Sequence, residues 1–189
     1  MKTSEQSLES LPPRERILVA AHALFYGEGI RATGVDKIIE RSSVSKVTFY
    51  RQYASKDDLI RAYLDYRHGK WISWFQTSLA EASATGLPAV NALAQTLKTW
   101  FSQPDFRGCA FLNAAAELGS SDPEILNTVR RHKQEMSSVL DELFGGDAVS
   151  AGHPVSLLID GAIVHAQMGQ PIDEVMESFQ AVVSRILRK

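Results

Sequence analysis

The chain has 189 residues, 44% of them hydrophobic and 22% charged, so it can bury a core of ordinary globular size. No apolar run is long enough to cross a bilayer, and the polar start, MKTSEQSLESLPP, lacks the apolar segment of a signal peptide. Cys109 is the only cysteine, which excludes an internal disulfide and a cysteine-rich metal site. These features predict a cytoplasmic protein with no membrane, metal or cofactor.

The charge is divided unevenly along the chain, although the formal net charge is only −2. Residues 1–70 contain 12 Lys and Arg against 9 Asp and Glu, whereas residues 71–189 contain 8 against 13. A basic first part joined to an acidic remainder favours a polyanionic partner for the first part alone.

Apolar residues recur at helical spacing throughout, and no segment shows the period-two pattern of a strand. Pro12 and Pro13 open the first helix, where a missing N–H does no harm, and the helix ends at GEG (27–29). Thr33 is placed to cap the second helix, and Asp36 three residues later completes a capping box.

Serine residues mark the next helix boundaries. The second helix ends at Ser42-Ser43, Ser45 caps a short third helix, and Ser55 caps a fourth. The fourth helix is long, because apolar residues keep their helical spacing over 59–79.

Five further helices are predicted in the acidic remainder, which makes the chain all-α with nine helices in total. Gly and Pro residues separate these five helices, and Asp122 caps the third of them ahead of Pro123. The predicted segments are 90–103, 106–118 (FRGCAFLNAAAEL), 123–144 up to Gly145-Gly146, 153–168 and 172–187.

The second and third helices, joined by a tight turn, form a helix-turn-helix. On the third helix Phe49 and Tyr53, four residues apart, face inward. The other side chains point outward or along the edges, where they suit base edges, thymine methyls and phosphates in a major groove. These outward residues are Lys46, Val47, Thr48, Tyr50 and Gln52.

Three helix starts fall close together, at Thr33, Ser45 and Ser55. A helix N-terminus carries a partial positive charge and free backbone N–H groups, so it can hold a phosphate. Lys56 is a cation in the first turn of the fourth helix, where it opposes the helix dipole unless an external anion lies there. Together with the third helix, this arrangement predicts DNA binding.

The segment RERILVAAHALFYGEGIRATGVDKIIERSSVSKVTFYRQYASKDDLIRAYL, residues 14–64, closely resembles the N-terminal domain of TetR/AcrR-type transcriptional regulators. Its motifs VSKVTFYRQY and SKDDL fall in register with that family. Three departures occur: Ser42-Ser43 replaces the common Ala-Gly of the turn, Ile39 replaces a small Ala, and Val47 replaces a frequent Gly.

The resemblance implies a homodimer whose two third helices enter adjacent major grooves of a near-palindromic operator on double-stranded DNA. It divides the chain into a helix-turn-helix domain at 1–54, with residues 1–11 flexible, and a helical ligand-binding and dimerisation domain at 55–189. It assigns base and backbone contacts to the five outward residues of the third helix, and Ser45 belongs to the same surface. Phosphate or positioning roles fall to Thr33, Tyr53 and Lys56.

The second domain is expected to hold a small apolar or aromatic effector between helices four to eight, so the function predicted is a repressor that this ligand releases. The candidate pocket residues are Trp71, Trp74, Phe75, Trp100, Phe101, Cys109, Phe111, Asn113 and Met168. Plain core packing is the competing interpretation of the aromatic residues.

The last two helices are expected to form a four-helix interface with a second copy. His165 is interpreted as a hydrogen-bonded interface residue, and His22 as surface of the first helix. The predicted interface residues are Val155, Leu158, Ile159, Ala162, His165, Phe179, Val182, Val183 and Ile186.

Three alternatives remain at this point. Cys109 can serve as a thiol sensor of oxidants or electrophiles, and the helix-turn-helix can bind protein as an adaptor. An enzyme is the third alternative, with Asp160 and His165, or Cys109 and His165, as a dyad. No third catalytic member, oxyanion site or Gly-rich phosphate loop accompanies either pair, so no catalytic residue is assigned.

Overall fold

The computed structural model describes residues 10–145 and 151–188, and within these ranges the protein consists of nine α-helices and no strands. The predicted all-α class is therefore confirmed. The predicted flexibility of residues 1–11 lies almost wholly outside the described residues, as does Gly146.

None of the described helices is long and apolar enough to span a bilayer. The helices are α1 (Pro13–Glu28), α2 (Val35–Ser42), α3 (Lys46–Gln52), α4 (Lys56–Ala84), α5 (Ala89–Phe101), α6 (Ala110–Leu118), α7 (Pro123–Leu143), α8 (Gly152–Gln167) and α9 (Ile172–Ile186).

Side-chain caps explain where three of these helices begin. The Ser45 hydroxyl accepts a hydrogen bond from the Thr48 N–H at 3.1 Å, at the start of α3. The Ser55 hydroxyl accepts one from the Asp58 N–H at 3.1 Å and donates to the Asp58 carboxylate at 2.8 Å. Asp122 accepts the N–H two residues further on at 3.0 Å. These N-caps were predicted and are confirmed.

The cap predicted for the second helix is wrong. Gly34 occupies the N-cap position of α2 without a side-chain bond. Thr33 is fully buried, and its hydroxyl donates to the Gly29 carbonyl at 2.7 Å, at the end of α1. Asp36 is exposed and pairs with Lys46 at 3.7 Å instead of closing a capping box. A threonine hydroxyl can accept from an N–H later in the chain or donate to a carbonyl earlier in it. Here it donates to a carbonyl at the end of the preceding helix.

The sixth helix is shorter than predicted, because residues 106–109 form a connection and the helix begins at Ala110. Gly108 has φ +76°, a left-handed conformation that interrupts a helix and favours glycine. A Cβ at this position would lie 2.2 Å from the side-chain oxygen of Gln167 on α8. The backbone of this connection therefore lies directly against the end of α8.

The turn between α2 and α3 depends on Ser43, the one non-glycine residue with positive φ (+52°) in the described chain. Arg16 of α1 supports this turn. Its guanidinium donates to the Ser42 carbonyl at 3.0 and 2.7 Å, and also to the carbonyl of Ser43. A cation bonded to the last carbonyls of a helix is favoured electrostatically, and it fixes the angle between α2 and α3.

α4 has 29 residues and connects the two parts of the molecule. Near its start, Leu59 and Tyr63 are buried against α1, and the Tyr63 ring lies 5.3 Å from Phe25. Further along, Trp71 and Phe75 are buried in the bundle formed by α4–α9. There α5 and α7 pack on α4, α8 packs on α7, and α9 packs on both α5 and α8. The α1–α3 unit and the α4–α9 bundle thus share one continuous helix.

The Ser43→Gly variant is expected to raise the free energy of unfolding by about 0.5–1 kcal/mol, because glycine adopts positive φ without steric strain. The measurement is urea unfolding followed by circular dichroism. Ser42→Gly is the matched control, since Ser42 is helical and buried, and glycine there should lower stability by about 1 kcal/mol. A destabilised Ser43→Gly protein would contradict the strain assigned to this turn.

Candidate DNA-binding surface and effector site

α3 has one face in the core and one in solvent. Phe49 is fully buried and Tyr53 nearly so, as predicted. On the opposite face Lys46 is exposed, and the large apolar side chains of Val47 and Tyr50 remain 69% and 45% exposed. Neighbouring large apolar side chains gain nothing from exposure to water, so their presence on the outer face of this seven-residue helix suggests contact with another molecule. This outer face is therefore a candidate contact surface.

The remaining residues predicted to bind DNA around α3 have internal partners as well. The Ser45 and Thr48 hydroxyls lie 2.9 Å apart at the exposed start of the helix. Gln52 is half-buried, and its carbonyl accepts a bond from Arg14 at 2.6 Å. Arg14 also lies 4.4 Å above the ring of Tyr53, whose burial raises its pKa above the ordinary value. Tyr53 thus positions α3 against α1.

Thr33 and Lys56 were predicted to contact phosphate or to position the helices, and the structure gives both an internal partner. Thr33 is fully buried, so its hydroxyl is not on the surface. The Lys56 ammonium donates to the Ile30 carbonyl at 2.7 Å and lies 5.9 Å from the Phe25 ring. Burial is the main cause that lowers the pKa of Lys56. The cation in the first turn of α4 therefore has a protein partner, and no external anion is needed to explain it.

Several cations on α1–α3 and their connections were missed as candidates. All are exposed and lie on elements that surround α3. The sequence signal was present, since they are five of the 12 Lys and Arg residues among the first 70. They are Arg14, Arg31, Lys37, Arg41 and Arg51.

The aromatic residues predicted to line a pocket are brought together, but they pack on one another. The Trp71 ring lies 4.7 Å from Phe75 in a stacked geometry and 5.4 Å from Trp100 in an edge contact. Trp74 lies 6.2 Å from Trp100, and Trp100 lies 5.5 Å from Phe101. The indole N–H of Trp71 is buried without an acceptor among the described residues. The cluster therefore combines apolar walls with one available donor.

A pair of histidines extends this cluster and was not anticipated. His132 stacks on Phe111 at 3.6 Å, and its Nδ1 lies 3.1 Å from Nδ1 of His68. His68 in turn has its Nε2 2.9 Å from the Glu135 carboxylate. Burial, reinforced by the Lys133 charge, lowers the pKa of His132 to about 2, so this ring is neutral. One histidine Nδ1 must donate to the other, which fixes both ring orientations.

Cys109 is buried beside a charged pair. The Lys133 ammonium lies 3.8 Å from its sulfur and forms an ion pair with Asp160 of α8. His165 is exposed, and its Nδ1 lies 2.7 Å from the Gln170 side-chain oxygen. Asp160 and His165 thus have different partners, and the structure assembles neither suggested dyad. No group of three or more His, Cys, Asp or Glu in residues 10–145 and 151–188 is placed to hold a metal.

Two other predicted pocket residues are placed differently from the aromatic cluster. Met168 is 63% exposed at the end of α8, so it does not line an internal site. The Asn113 amide donates to the Arg107 carbonyl at 2.9 Å and fixes the connection before α6. A separate cleft of about 340 Å³ lies between α4 and the start of α7. Its lining is largely polar: Asp57, Ile60, Arg61, Leu118, Ser121, Asp122 and Ile125.

Most residues predicted for the dimer interface are used inside the protomer instead. Val155, Ile159, Ala162, Phe179 and Val183 are buried in its own core, and Leu158 and Ile186 are half-buried. Of the predicted set, Val182 and His165 are exposed. The helices α8 and α9 carry apolar residues on two faces, and the prediction selected the inner one. The exposed apolar face of α8 consists of Leu157, Gly161, Val164 and Met168.

His22 also differs from its expected position on the helix surface. It is half-buried between α1 and α4, with its ring 5.8 Å from Tyr63 and 5.5 Å from Tyr66. Burial, together with the Arg67 charge, lowers the pKa of His22 to about 4. The Arg67 guanidinium lies 3.3 Å from His22 and 4.2 Å from the centre of the Tyr26 ring. These residues form a packed polar contact between α1 and α4.

Comparison with known proteins relates the whole chain to one group. Residues 17–63 match the family model described as bacterial regulatory proteins, tetR family. A TetR-family transcriptional regulator from Streptomyces coelicolor is 34% identical over 93% of this chain and 94% of its own, with a TM-score of 0.77. The HTH-type transcriptional repressor ComR from Escherichia coli K12 is 22% identical over 176 residues, covering 87% of this chain and 84% of its own.

Because the comparison with the Streptomyces coelicolor regulator covers 93% of this chain, it extends over both the α1–α3 unit and the α4–α9 bundle. The family-model match covers α1, α2, α3 and the start of α4, where the exposed face of α3 lies. This family consists of DNA-binding regulators and not of enzymes. The chain belongs to the TetR family of bacterial transcriptional regulators.

Proposed function

We propose that this protein is a repressor that binds a near-palindromic operator as a homodimer and leaves it when a small apolar or aromatic effector binds. The outer face of α3 carries the proposal, since it exposes Lys46 beside Val47 and Tyr50. A lysine suits phosphate or guanine, and apolar side chains suit thymine methyls. ComR, which is 22% identical to this chain, is named as a repressor, and this supports repression over activation for the present protein.

The proposal assigns DNA binding to residues 1–54 and effector binding with dimerisation to residues 55–189. The hydrogen bonds of Arg14 and Arg16 to the ends of α3 and α2 hold the first part together. The aromatic cluster and the last two helices belong to the second part. α4 begins at this boundary, so a movement of its tryptophan end changes the position of α3.

Lys46→Ala and Tyr50→Ala are expected to weaken operator binding at least roughly tenfold while leaving the fold intact, because both side chains are exposed. Wild-type affinity should fall steeply with salt, and Lys46→Ala should reduce that slope by about 1 per subunit. The operator is first selected from a random DNA pool, and affinities are then measured by fluorescence anisotropy at several salt concentrations.

Lys98→Ala serves as the control for these variants, because Lys98 is an exposed lysine on α5 that pairs with Asp173. It should bind the selected operator like wild type. Selection that enriches no sequence, or an affinity independent of salt, would contradict DNA binding. Enrichment of a sequence without two-fold symmetry would contradict the dimeric operator.

The dimer interface is proposed on the exposed faces of α8 and α9. Leu157 is 60% exposed and Val164 45% exposed, and with Gly161 and Met168 they follow helical spacing along one side of α8. Val182 of α9 is 39% exposed. Such a stripe of apolar residues, with a glycine that allows close approach, suits self-association around a two-fold axis.

Val164→Asp is expected to convert the protein to monomers, because it places a charge without a partner in an apolar contact between copies. Sedimentation velocity measures the mass, and circular dichroism checks the fold. Val47→Asp is the matched control: it also replaces an exposed valine, but on α3, and it should remain dimeric. A dimeric Val164→Asp protein would place the interface elsewhere.

The effector site is proposed in the aromatic cluster of α4 and α5. Its walls are the rings of Trp71, Trp74, Phe75 and Trp100, and the Trp71 N–H offers one hydrogen bond to a ligand acceptor. A ligand entering here separates rings that now pack together, and it thereby moves α4. Because binding free energies are linked, such a ligand would lower operator affinity as much as the operator lowers ligand affinity.

Trp100→Ala is expected to raise the effector concentration needed for half-maximal release by roughly tenfold or more, since it removes one wall of the site. The assay titrates a panel of aromatic compounds against the labelled operator complex. Met168→Ala is the control, because Met168 is exposed outside the cluster. An unchanged response in Trp100→Ala would place the effector elsewhere. A compound that tightens operator binding would contradict the proposal that the effector releases the operator.

A further inference from the structure

The hydroxyl of Tyr26, near the end of α1, holds the connection that precedes α6. It donates to the Gly108 carbonyl at 3.0 Å and accepts from the Arg107 N–H at 3.0 Å. The two partners lie 82 and 81 residues away in the sequence. One hydroxyl therefore bonds two consecutive residues of the backbone, which fixes both the position and the orientation of this connection relative to α1.

Tyr26 itself is held in place from the side of α4. The Arg67 guanidinium lies 4.2 Å above its ring and 3.3 Å from His22, one turn earlier on α1. A cation over an aromatic face at this distance is attractive and orients the ring. Tyr26, itself a residue of α1, therefore contacts the long helix α4 and the connection before α6 at the same time.

The connection held by Tyr26 is also a meeting point of the regulatory helices. The Asn113 amide of α6 donates to the Arg107 carbonyl at 2.9 Å. Gln167, at the end of α8, lies against the backbone of Gly108. Cys109 follows at once, with its sulfur 3.8 Å from Lys133 of α7, which pairs with Asp160 of α8. A shift of α6, α7 or α8 would therefore displace residues 107–109.

A second bond joins α6 to the DNA-binding part at its other end. The Glu117 carboxylate accepts from the Arg31 N–H at 2.7 Å, in the connection between α1 and α2. α6 has only nine residues, so both of its ends are tied to the first part of the chain. The two bonds differ in what they hold. Tyr26 bonds the connection that also contacts α7 and α8, whereas Glu117 is itself a residue of α6.

We propose that Tyr26 is a positioning residue that couples the connection at residues 107–109 to the DNA-binding unit, so that operator binding and opening of this connection influence each other. The proposal rests on the DNA-binding function proposed above. Operator binding fixes α1, and through the Tyr26 hydroxyl it holds residues 107–109 closed. Opening of the connection, in turn, releases α1 from residues 107–109 and lowers operator affinity by the same factor.

Alkylation of Cys109 measures this opening, because Cys109 is the only cysteine and is buried at the end of the connection. The experiment measures the rate at which N-ethylmaleimide alkylates Cys109 in the full-length protein, without DNA and with a saturating amount of the selected operator fragment. Hydrogen exchange of the peptide 106–111 gives the same comparison without thiol chemistry. Wild type, Tyr26→Phe and Tyr66→Phe are compared, and Tyr66→Phe is matched because it removes a hydroxyl from the other tyrosine ring beside His22 on the α1–α4 contact.

Tyr26→Phe keeps the ring and removes both hydrogen bonds, so opening in the free protein should become roughly 5- to 100-fold more frequent. In wild type and Tyr66→Phe, operator should slow alkylation and exchange severalfold. In Tyr26→Phe the rates with and without operator should be nearly equal. This loss of the operator effect separates coupling from a purely structural role, which would change only the rate in the free protein.

The two proposals fail in different ways. A protein that binds no selected DNA overturns the proposed function, and the coupling to the operator with it, while the DNA-free comparison still shows whether Tyr26 holds the connection. If wild type binds its operator and Tyr26→Phe retains the full operator effect, the coupling through Tyr26 is wrong. An operator that changes neither readout in wild type overturns it as well.

Discussion

The arrangement of the molecule depends on the burial of both ends of α4. Its first turns are fixed against α1 by Leu59 and Tyr63, and its later turns are fixed among aromatic rings by Trp71 and Phe75. At about 1.5 Å per residue, its 29 residues span about 43 Å. Because a helix is stiff along its axis, a displacement of α4 at Trp71 also moves Leu59 and Tyr63. The α1–α3 unit is therefore mechanically joined to the core of the α4–α9 bundle.

Two shorter contacts limit how this movement can occur. Tyr26 joins α1 to the connection before α6, and Glu117 joins the end of α6 to the connection after α1. Both are hydrogen bonds to backbone groups, which tolerate displacements of only a few tenths of an ångström before they weaken. The two contacts therefore restrict the movement of α6 relative to α1.

The features that the sequence predicted well are local ones. Ser45, Ser55 and Asp122 cap helices because each bonds an N–H two or three residues away, and the inward positions of Phe49 and Tyr53 follow from helical spacing. The failures have physical causes as well. The Thr33 hydroxyl had two possible directions, and α8 had two apolar faces, so the residue types alone did not decide between them.

Long-range polar contacts lay beyond any local pattern. Lys56 bonds a carbonyl 26 residues away, and His68 meets His132 across 64 residues. A cation against the helix dipole, or a histidine among charged helix residues, indicates only that some partner exists, and the partner is chosen by tertiary packing. The aromatic cluster was predicted as a group, yet its tight internal packing and the outward position of Met168 required the structure.

The neutral histidines of the core make the protein sensitive to acid. The pKa of His132 is lowered from 6.5 to about 2 and that of His22 to about 4, so both rings accept a proton readily only after unfolding. Their contribution to stability is complete above about pH 6.5 and is lost as the pH falls toward the folded-state pKa, by up to about 1.4 kcal/mol per pH unit for each histidine. Acidification therefore acts on both regions that fix α4, since His22 lies at its contact with α1 and His132 beside Trp71.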